Sequence, residues 1–168
     1  LVDKAPDQIQ NIGGDWHTDH SYDHLPALGS VLVSRQLPAS GGDTWFTSMY
    51  KAYDGLSAGL QSFLESLRAV HSAKHVFGSR APEARQEAIG DQFNNKSAAD
   101  ELEDPVHPVV IRHPLSGRKA LFVNSGFTLR FEGWTEEESA PLLEMLYAAA
   151  IREPYITRFN WQPGSVVF

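Results

Sequence analysis

His17 and Asp19 are two residues apart in Gly13-Gly14-Asp15-Trp16-His17-Thr18-Asp19-His20-Ser21-Tyr22-Asp23-His24, a segment with no helical periodicity. On an extended chain, residues i and i+2 face the same side. An imidazole nitrogen and a carboxylate oxygen would then meet at a single cation. Together they make two thirds of a 2-His-1-carboxylate facial triad, the ligand set that suits non-heme Fe(II) and leaves one side of the metal open. The same residues also fit a polar turn in which histidines cap backbone groups, because His-x-Asp is short and arises often by chance. His20 would point away from His17 on a regular strand, and only a bulge would turn it back. His20 or His24 as a substitute ligand would make a local and weaker site. His107 and His113 are expected at strand ends, held by backbone hydrogen bonds.

The elements needed to position such a pair are those of one domain. The 168 residues are 42% hydrophobic and 21% charged, enough for one soluble globule with a real core. A net charge of −7 disfavours nucleic acid and anionic membrane as partners. With no cysteine, the chain offers no disulfide, thiolate metal site, iron–sulfur cluster or thiol nucleophile, and its composition fits a reducing cytoplasm. No apolar run is long enough to span a bilayer and no signal peptide is visible. The start at Leu1 and the end in Ser165-Val166-Val167-Phe168, which has the character of a buried strand, are those expected of an internal piece of a longer protein.

Residues 1–12 are expected to form a loop. Ser30 to Leu37 is expected to be a buried strand, turned by Pro38-Ala39-Ser40-Gly41-Gly42-Asp43 into a hairpin with Thr44-Trp45-Phe46-Thr47. Ser48 to Leu56 predicts a short helix. A second follows Ser57 as N-cap, with Leu60, Phe63, Leu64 and Leu67 on one face. Ala69 to Ser72 is strand-like. Residues 78–104, polar and without a firm apolar face, predict an exposed insertion or lid, part helical around 82–89. Val106 to Pro114 is strand-like, with Pro108 marking an edge or bulge. Ser116-Gly117 turns the chain into Lys119 to Asn124. Thr135 with Glu138 forms a capping box for a helix whose apolar face carries Leu142, Leu143, Leu146 and Tyr147. Tyr155 to Trp161 alternates as a strand, and Gln162-Pro163-Gly164-Ser165 turns into the last Val-Val-Phe. The sum is a mainly β core with flanking helices, consistent with a jelly-roll or double-stranded β-helix of cupin type.

Several of these pieces, in this order, resemble the taurine dioxygenase (TauD/TfdA) family of Fe(II)/2-oxoglutarate-dependent oxygenases. They are Trp16-His17-Thr18-Asp19, Leu37-Pro38-Ala39-Ser40-Gly41-Gly42-Asp43-Thr44, His107-Pro108-Val109-Val110, His113-Pro114-Leu115-Ser116-Gly117, Leu121-Phe122-Val123-Asn124-Ser125-Gly126-Phe127-Thr128 and Trp161-Gln162-Pro163. Residues 1–168 are then one partial domain of that type, interrupted by the 78–104 segment. The resemblance implies that His17 and Asp19 are iron ligands and that the Thr44 hydroxyl bonds the 2-oxoglutarate carboxylate. It also places Asn124 and Phe127 on a strand facing the active-site cavity, as substrate contacts, although Phe127 fits plain core packing equally well.

Further implications are a hydroxylation coupled to conversion of 2-oxoglutarate and O₂ into succinate and CO₂, and a small organic acid as substrate: a sulfonate, alkyl sulfate or aryloxyalkanoate. Asp19 favours hydroxylation, since halogenating relatives lack that carboxylate. The Asn that contacts substrate in taurine-hydroxylating members corresponds here to Gly13, so the chain departs from the taurine pattern. Trp16, Phe46, Phe122 and Phe127 are candidate apolar walls. The family's distal His and 2-oxoglutarate-binding Arg lie beyond the Trp-Gln-Pro strand, so the piece alone is expected to bind Fe(II) poorly and to be inactive. Many members are dimers or tetramers, though no interface signature stands out. The rival readings are a cupin-like metal-binding barrel with other chemistry and a non-catalytic relative.

Overall fold

The structure is a computed structural model and describes residues 13–82 and 96–168. The loop expected at 1–12, and all but Pro82 of the helix expected at 82–89, lie outside the described residues.

Nine short strands make four antiparallel sheets among the described residues. β1 (Leu32–Val33) pairs with β9 (Val166–Val167), and β2 (Thr44–Thr47) with β8 (Ile156–Phe159). β3 (Arg68–His71) lies between β4 (Val106–Pro108) and β7 (Thr128–Phe131), while β5 (Val110–Arg112) pairs with β6 (Lys119–Leu121). Pro108 ends β4 at the sheet edge, where its missing N–H breaks no ladder. Val109 then joins the sheets, donating to the Leu67 carbonyl and accepting from the Phe122 N–H. Among the described residues only β5 and β6 form a tight hairpin of sequence neighbours; Gly117 at φ +67° takes the left-handed turn position that Ser116-Gly117 predicts.

Two expectations are corrected. β1 and β2 do not pair with each other. The Asp43 carboxylate before β2 is held by Arg158 of β8 and by Asn160 just past it, so β2 zips to β8 from Thr44↔Phe159 to Thr47↔Ile156. The strand expected to be buried at 30–37 shrinks to β1, and Leu32 and Val33 stay 41% and 55% exposed. Its ladder partner among the described residues is the equally short β9, whose Val166 is also exposed. β7, which the sequence reading passed over, pairs beside β3.

The helices follow their caps. α1 (Met49–Asp54) starts at Ser48 and α2 (Ala58–Leu64) at Ser57, each hydroxyl accepting the N–H three residues on. Two short helices follow, α3 (Lys74–Phe77) and α4 (Lys96–Glu101). The last, α5 (Glu136–Ala150), has the full Thr135–Glu138 capping box with acidic residues in its first turn, where the helix dipole favours them. α1 lies across β6 and α5 across β7. Between them Leu64, Leu121, Val109, Phe131 and Leu146 are fully buried. At the described ends of the 78–104 segment most residues are exposed, and they are anchored at a few points: Ala81 and Ala99 are buried, and the Asp100 carboxylate accepts the Ser79 N–H at 3.0 Å and its hydroxyl at 3.1 Å.

Candidate metal and carboxylate site

Residues 16–18 belong to no strand or helix and the chain then turns through 19–22, so His17 and Asp19 are not on a regular strand. The side chains nevertheless converge, with His17 Nε2 3.2 Å from Asp19 Oδ1. His17 Nδ1 lies 2.7 Å from the Asp15 carbonyl, an acceptor, and so carries the proton. Nε2 then faces a carboxylate oxygen with its lone pair, an arrangement that a cation between them would satisfy. Two ligands about 2.1 Å from a metal and at right angles to one another are roughly 3.0 Å apart. The pair fits a cis ligand pair of an octahedral ion. Ser30 Oγ donates to Asp19 Oδ2 at 3.1 Å and fixes the carboxylate's outer oxygen.

Other histidines stay out of the pair. His20 has φ +56° and hydrogen-bonds the Asp23 carboxylate at 2.8 Å, while His24 is exposed beside Glu103. Neither is a substitute ligand, and no cluster of three His, Cys, Asp or Glu occurs among the described residues. His107 Nε2 donates to the Asp23 carbonyl at 2.9 Å, and His113 Nδ1 accepts the Leu115 and Ser116 N–H groups, both backbone-held as expected.

Asn124 and Phe127 lie not in a strand but in the turn from β6 to β7, and that turn is clamped onto the ligand loop. Ser125 Oγ donates to the Trp16 carbonyl at 3.0 Å, and Asn124 Nδ2 donates to Ser21 Oγ at 3.1 Å. Asn124 Oδ1 accepts the Phe127 N–H at 2.9 Å and so closes the turn. Gly126 lies against His17 so closely that a Cβ there would come within 2.8 Å of the His17 Cβ. Gly13, at φ +68°, also lies close to the imidazole: a Cβ there would be 3.2 Å from His17 Cε1. Phe127 is buried edge-on to His17 at 6.1 Å and to Tyr22 at 4.6 Å, an aromatic support for the ligand. Sequence reasoning missed Ser21, Ser30 and Gly126, because their contacts cross turns that composition does not predict.

A cleft of about 170 Å³ opens beside His17, between the ligand loop and β2. Trp16, Phe46 and Tyr147 are among its walls, and burial pushes the Tyr147 phenol up to about 12, so it stays neutral. Phe122 is not a wall of this cleft; it stacks on the buried His71 at 5.4 Å. Thr44, at the start of β2, makes no direct contact with the His17–Asp19 pair; its hydroxyl oxygen accepts the Trp161 indole N–H at 2.9 Å.

His71 is fully buried, beside His107 and Phe122, and among the described residues neither ring nitrogen has a hydrogen bond of good geometry, the Phe122 backbone offering only a weak one. Burial first, and His107 second, push its pKa from 6.5 down to about 3, against a smaller raising effect of the Phe122 backbone. Below pH 6.5 the unfolded chain therefore binds a proton that the folded chain refuses. Stability is full above that pH and falls as pH drops toward 3. At pH 5 the loss from this residue is about 2 kcal/mol. His71→Leu should flatten the decline in denaturant-measured stability between pH 7.5 and 5; parallel curves for the two proteins would contradict this assignment.

Comparisons with known proteins place the chain by family and fold. The family profile described as taurine catabolism dioxygenase TauD, TfdA family matches residues 2–168. The chain is 34% identical over 154 residues to the alpha-ketoglutarate-dependent dioxygenase cnsM of Penicillium expansum, covering 90% of this chain and 41% of that protein. It is 35% identical over 152 residues to the alpha-ketoglutarate-dependent 2,4-dichlorophenoxyacetate dioxygenase of Cupriavidus pinatubonensis, covering 90% and 50%. The crystal structure of a taurine dioxygenase from Burkholderia xenovorans superposes with a TM-score of 0.72 at 33% identity, over 91% of this chain and 46% of that one. The chain thus spans half or less of the length of these relatives. With the family profile, the relatives above 30% identity and the matching fold of mixed helices and strands in agreement, the chain belongs to the taurine catabolism dioxygenase TauD, TfdA family.

Proposed function

We propose that this chain forms part of an Fe(II)- and 2-oxoglutarate-dependent dioxygenase that hydroxylates a small organic acid of the sulfonate, alkyl sulfate or aryloxyalkanoate type. The observation that carries the reading is His17 Nε2 facing Asp19 Oδ1 at 3.2 Å with the ring proton fixed on Nδ1. In a protein of this family the reading is favoured over a non-catalytic barrel. The complete protein would close these sheets into a double-stranded β-helix and work in the cytoplasm, as a monomer or a homo-oligomer.

His17 and Asp19 would hold Fe(II) from one side, with a third ligand supplied from outside the described residues. When bound, the iron supplies the chemistry that joins oxidative decarboxylation of 2-oxoglutarate by O₂ to insertion of oxygen into a substrate C–H bond. This chain's own residues orient and shield. The Asp15 carbonyl keeps His17 in the tautomer with a free Nε2, and Ser30 keeps Asp19 from swinging away. Thr44 would donate its hydroxyl to a 2-oxoglutarate carboxylate oxygen. Asn124, by tying the β6–β7 turn to Ser21, holds Phe127 beside the ligand; Asn124 lines the cleft where substrate would lie, and Phe127 is not among its walls but backs His17. Trp16 and Phe46 would exclude water from the cleft.

The test is the full-length protein with Fe(II), 2-oxoglutarate and O₂, offered a panel of sulfonates, alkyl sulfates and aryloxyalkanoates. One class should raise succinate formation with hydroxylated or cleaved product in equal amount. Absence of a visible charge-transfer band when folded, metal-loaded protein meets 2-oxoglutarate without oxygen would return the choice to a cupin-like or non-catalytic barrel.

A further inference from the structure

The contacts of Thr44 and Trp161 carry an assignment beyond the ligands, resting on the 2-oxoglutarate reading above. Thr44 opens β2 opposite Phe159 of β8, and Trp161 follows β8 by two residues. The two aromatic rings meet edge to face, 5.0 Å apart, which holds the indole in place. Its Nε1–H, 2.9 Å from Thr44 Oγ1, is a donor with no acceptor capacity. Thr44 must therefore accept here, and its own hydroxyl proton is directed elsewhere. No residue among those described takes that proton. The neighbouring Asp43 carboxylate is occupied: Arg158 and Asn160 donate to it, and its side chain is only 6% exposed. β8 and the residues after it thus clamp the backbone just before Thr44 and fill the accepting side of its hydroxyl.

We infer that Trp161 is a positioning residue: by occupying the Thr44 oxygen as acceptor, it aims the Thr44 hydroxyl proton at a carboxylate oxygen of the bound 2-oxo acid. A hydroxyl with a free choice of partners would rotate toward water or backbone. One already accepting from an indole is left to donate, and an anionic oxygen is the strongest partner for it. The contacts of Trp161 are with Thr44 and Phe159 and not with His17 or Asp19, so its effect should fall on the co-substrate and spare the metal.

The experiment is calorimetric titration of 2-oxoglutarate into the full-length, Mn(II)-loaded protein without oxygen, comparing Trp161→Phe, Thr44→Val and the double variant. Trp161→Phe should weaken 2-oxoglutarate binding about tenfold and leave Mn(II) affinity unchanged. In the Thr44→Val background the same change should add almost nothing, because a residue acting through Thr44 has nothing left to act on. Losses that add, or full affinity in Trp161→Phe alongside a loss in Thr44→Val, would overturn the inference and leave the functional reading intact. Failure of the unaltered protein to bind 2-oxoglutarate overturns both. If Trp161→Phe does not fold, Trp161→His, which keeps a ring N–H, serves in its place: partial retention of affinity in the Thr44 background, and no effect in the Thr44→Val background, is expected, and equal effects in both overturn the inference.

Discussion

Asp19→Ala will lower the affinity of the full-length protein for Fe(II) or Mn(II) by more than about 100-fold and erase the 2-oxoglutarate charge-transfer band. The size follows from the geometry. Even a residue that only orients a ligand typically costs about 10- to 100-fold in metal affinity, and Asp19 is a ligand in the proposed site. Its Oδ1 is 3.2 Å from His17 Nε2, so its removal leaves an imidazole with no partner for a chelate. Ser30→Ala, which frees only the outer oxygen Oδ2, should cost nearer tenfold and keep the band. The graded pair separates metal ligation from a general disturbance of the loop. Because Asp19 is half exposed and makes no buried contact, circular dichroism and denaturant midpoint should be unchanged in both variants. Metal affinity that survives Asp19→Ala would show that the His-x-Asp pair is the polar turn that its spacing alone also allows.

That ambiguity marks the limit of what the chain's own letters reveal. The spacing of His17 and Asp19 is visible in the sequence, but the proton on Nδ1 is set by the Asp15 carbonyl, whose direction depends on a loop without periodicity. Local signals survive folding where they are self-contained. Ser48, Ser57 and Thr135 cap the helices that follow them, and Gly117 turns the hairpin it predicts. Pairing between distant strands is another matter. A Gly-Gly-Asp turn after an apolar run predicts a hairpin, yet the Asp43 carboxylate is claimed by Arg158 and Asn160, more than a hundred residues along, and β2 goes with β8. Phe122 and Phe127 look alike as candidate walls. They end on different sides, Phe122 against His71 and Phe127 against His17, because Asn124 folds the chain back between them.

Gly126 is the residue whose importance is least legible in the sequence and sharpest in the structure. Gly126→Ala should lower metal affinity by more than about tenfold and destabilise the protein by about 1–3 kcal/mol. A Cβ at this position would lie 2.8 Å from the His17 Cβ and 3.2 Å from Asn124 Oδ1. Neither neighbour has room to yield. The His17 Cβ is next to its own backbone, and Asn124 Oδ1 is accepting the Phe127 N–H while its amide bonds Ser21. From behind, His75 Nε2 is 2.9 Å from the Gly126 carbonyl, and Ser125 holds the Trp16 carbonyl, so the turn cannot retreat without breaking those bonds. The strain therefore passes to His17 and moves Nε2 relative to Asp19 Oδ1. Gly59→Ala is the matched control: it lies inside α2 with nothing within 4 Å of the new Cβ, and should stabilise the protein by roughly 0.5–1 kcal/mol through helix propensity. Loss of metal affinity in Gly126→Ala with little change in global stability would place the effect in the ligand geometry itself. Wild-type affinity and stability in that variant would mean that the β6–β7 turn is free to move away from the metal site, and that the clamp through Ser125, Asn124 and His75 does not hold it.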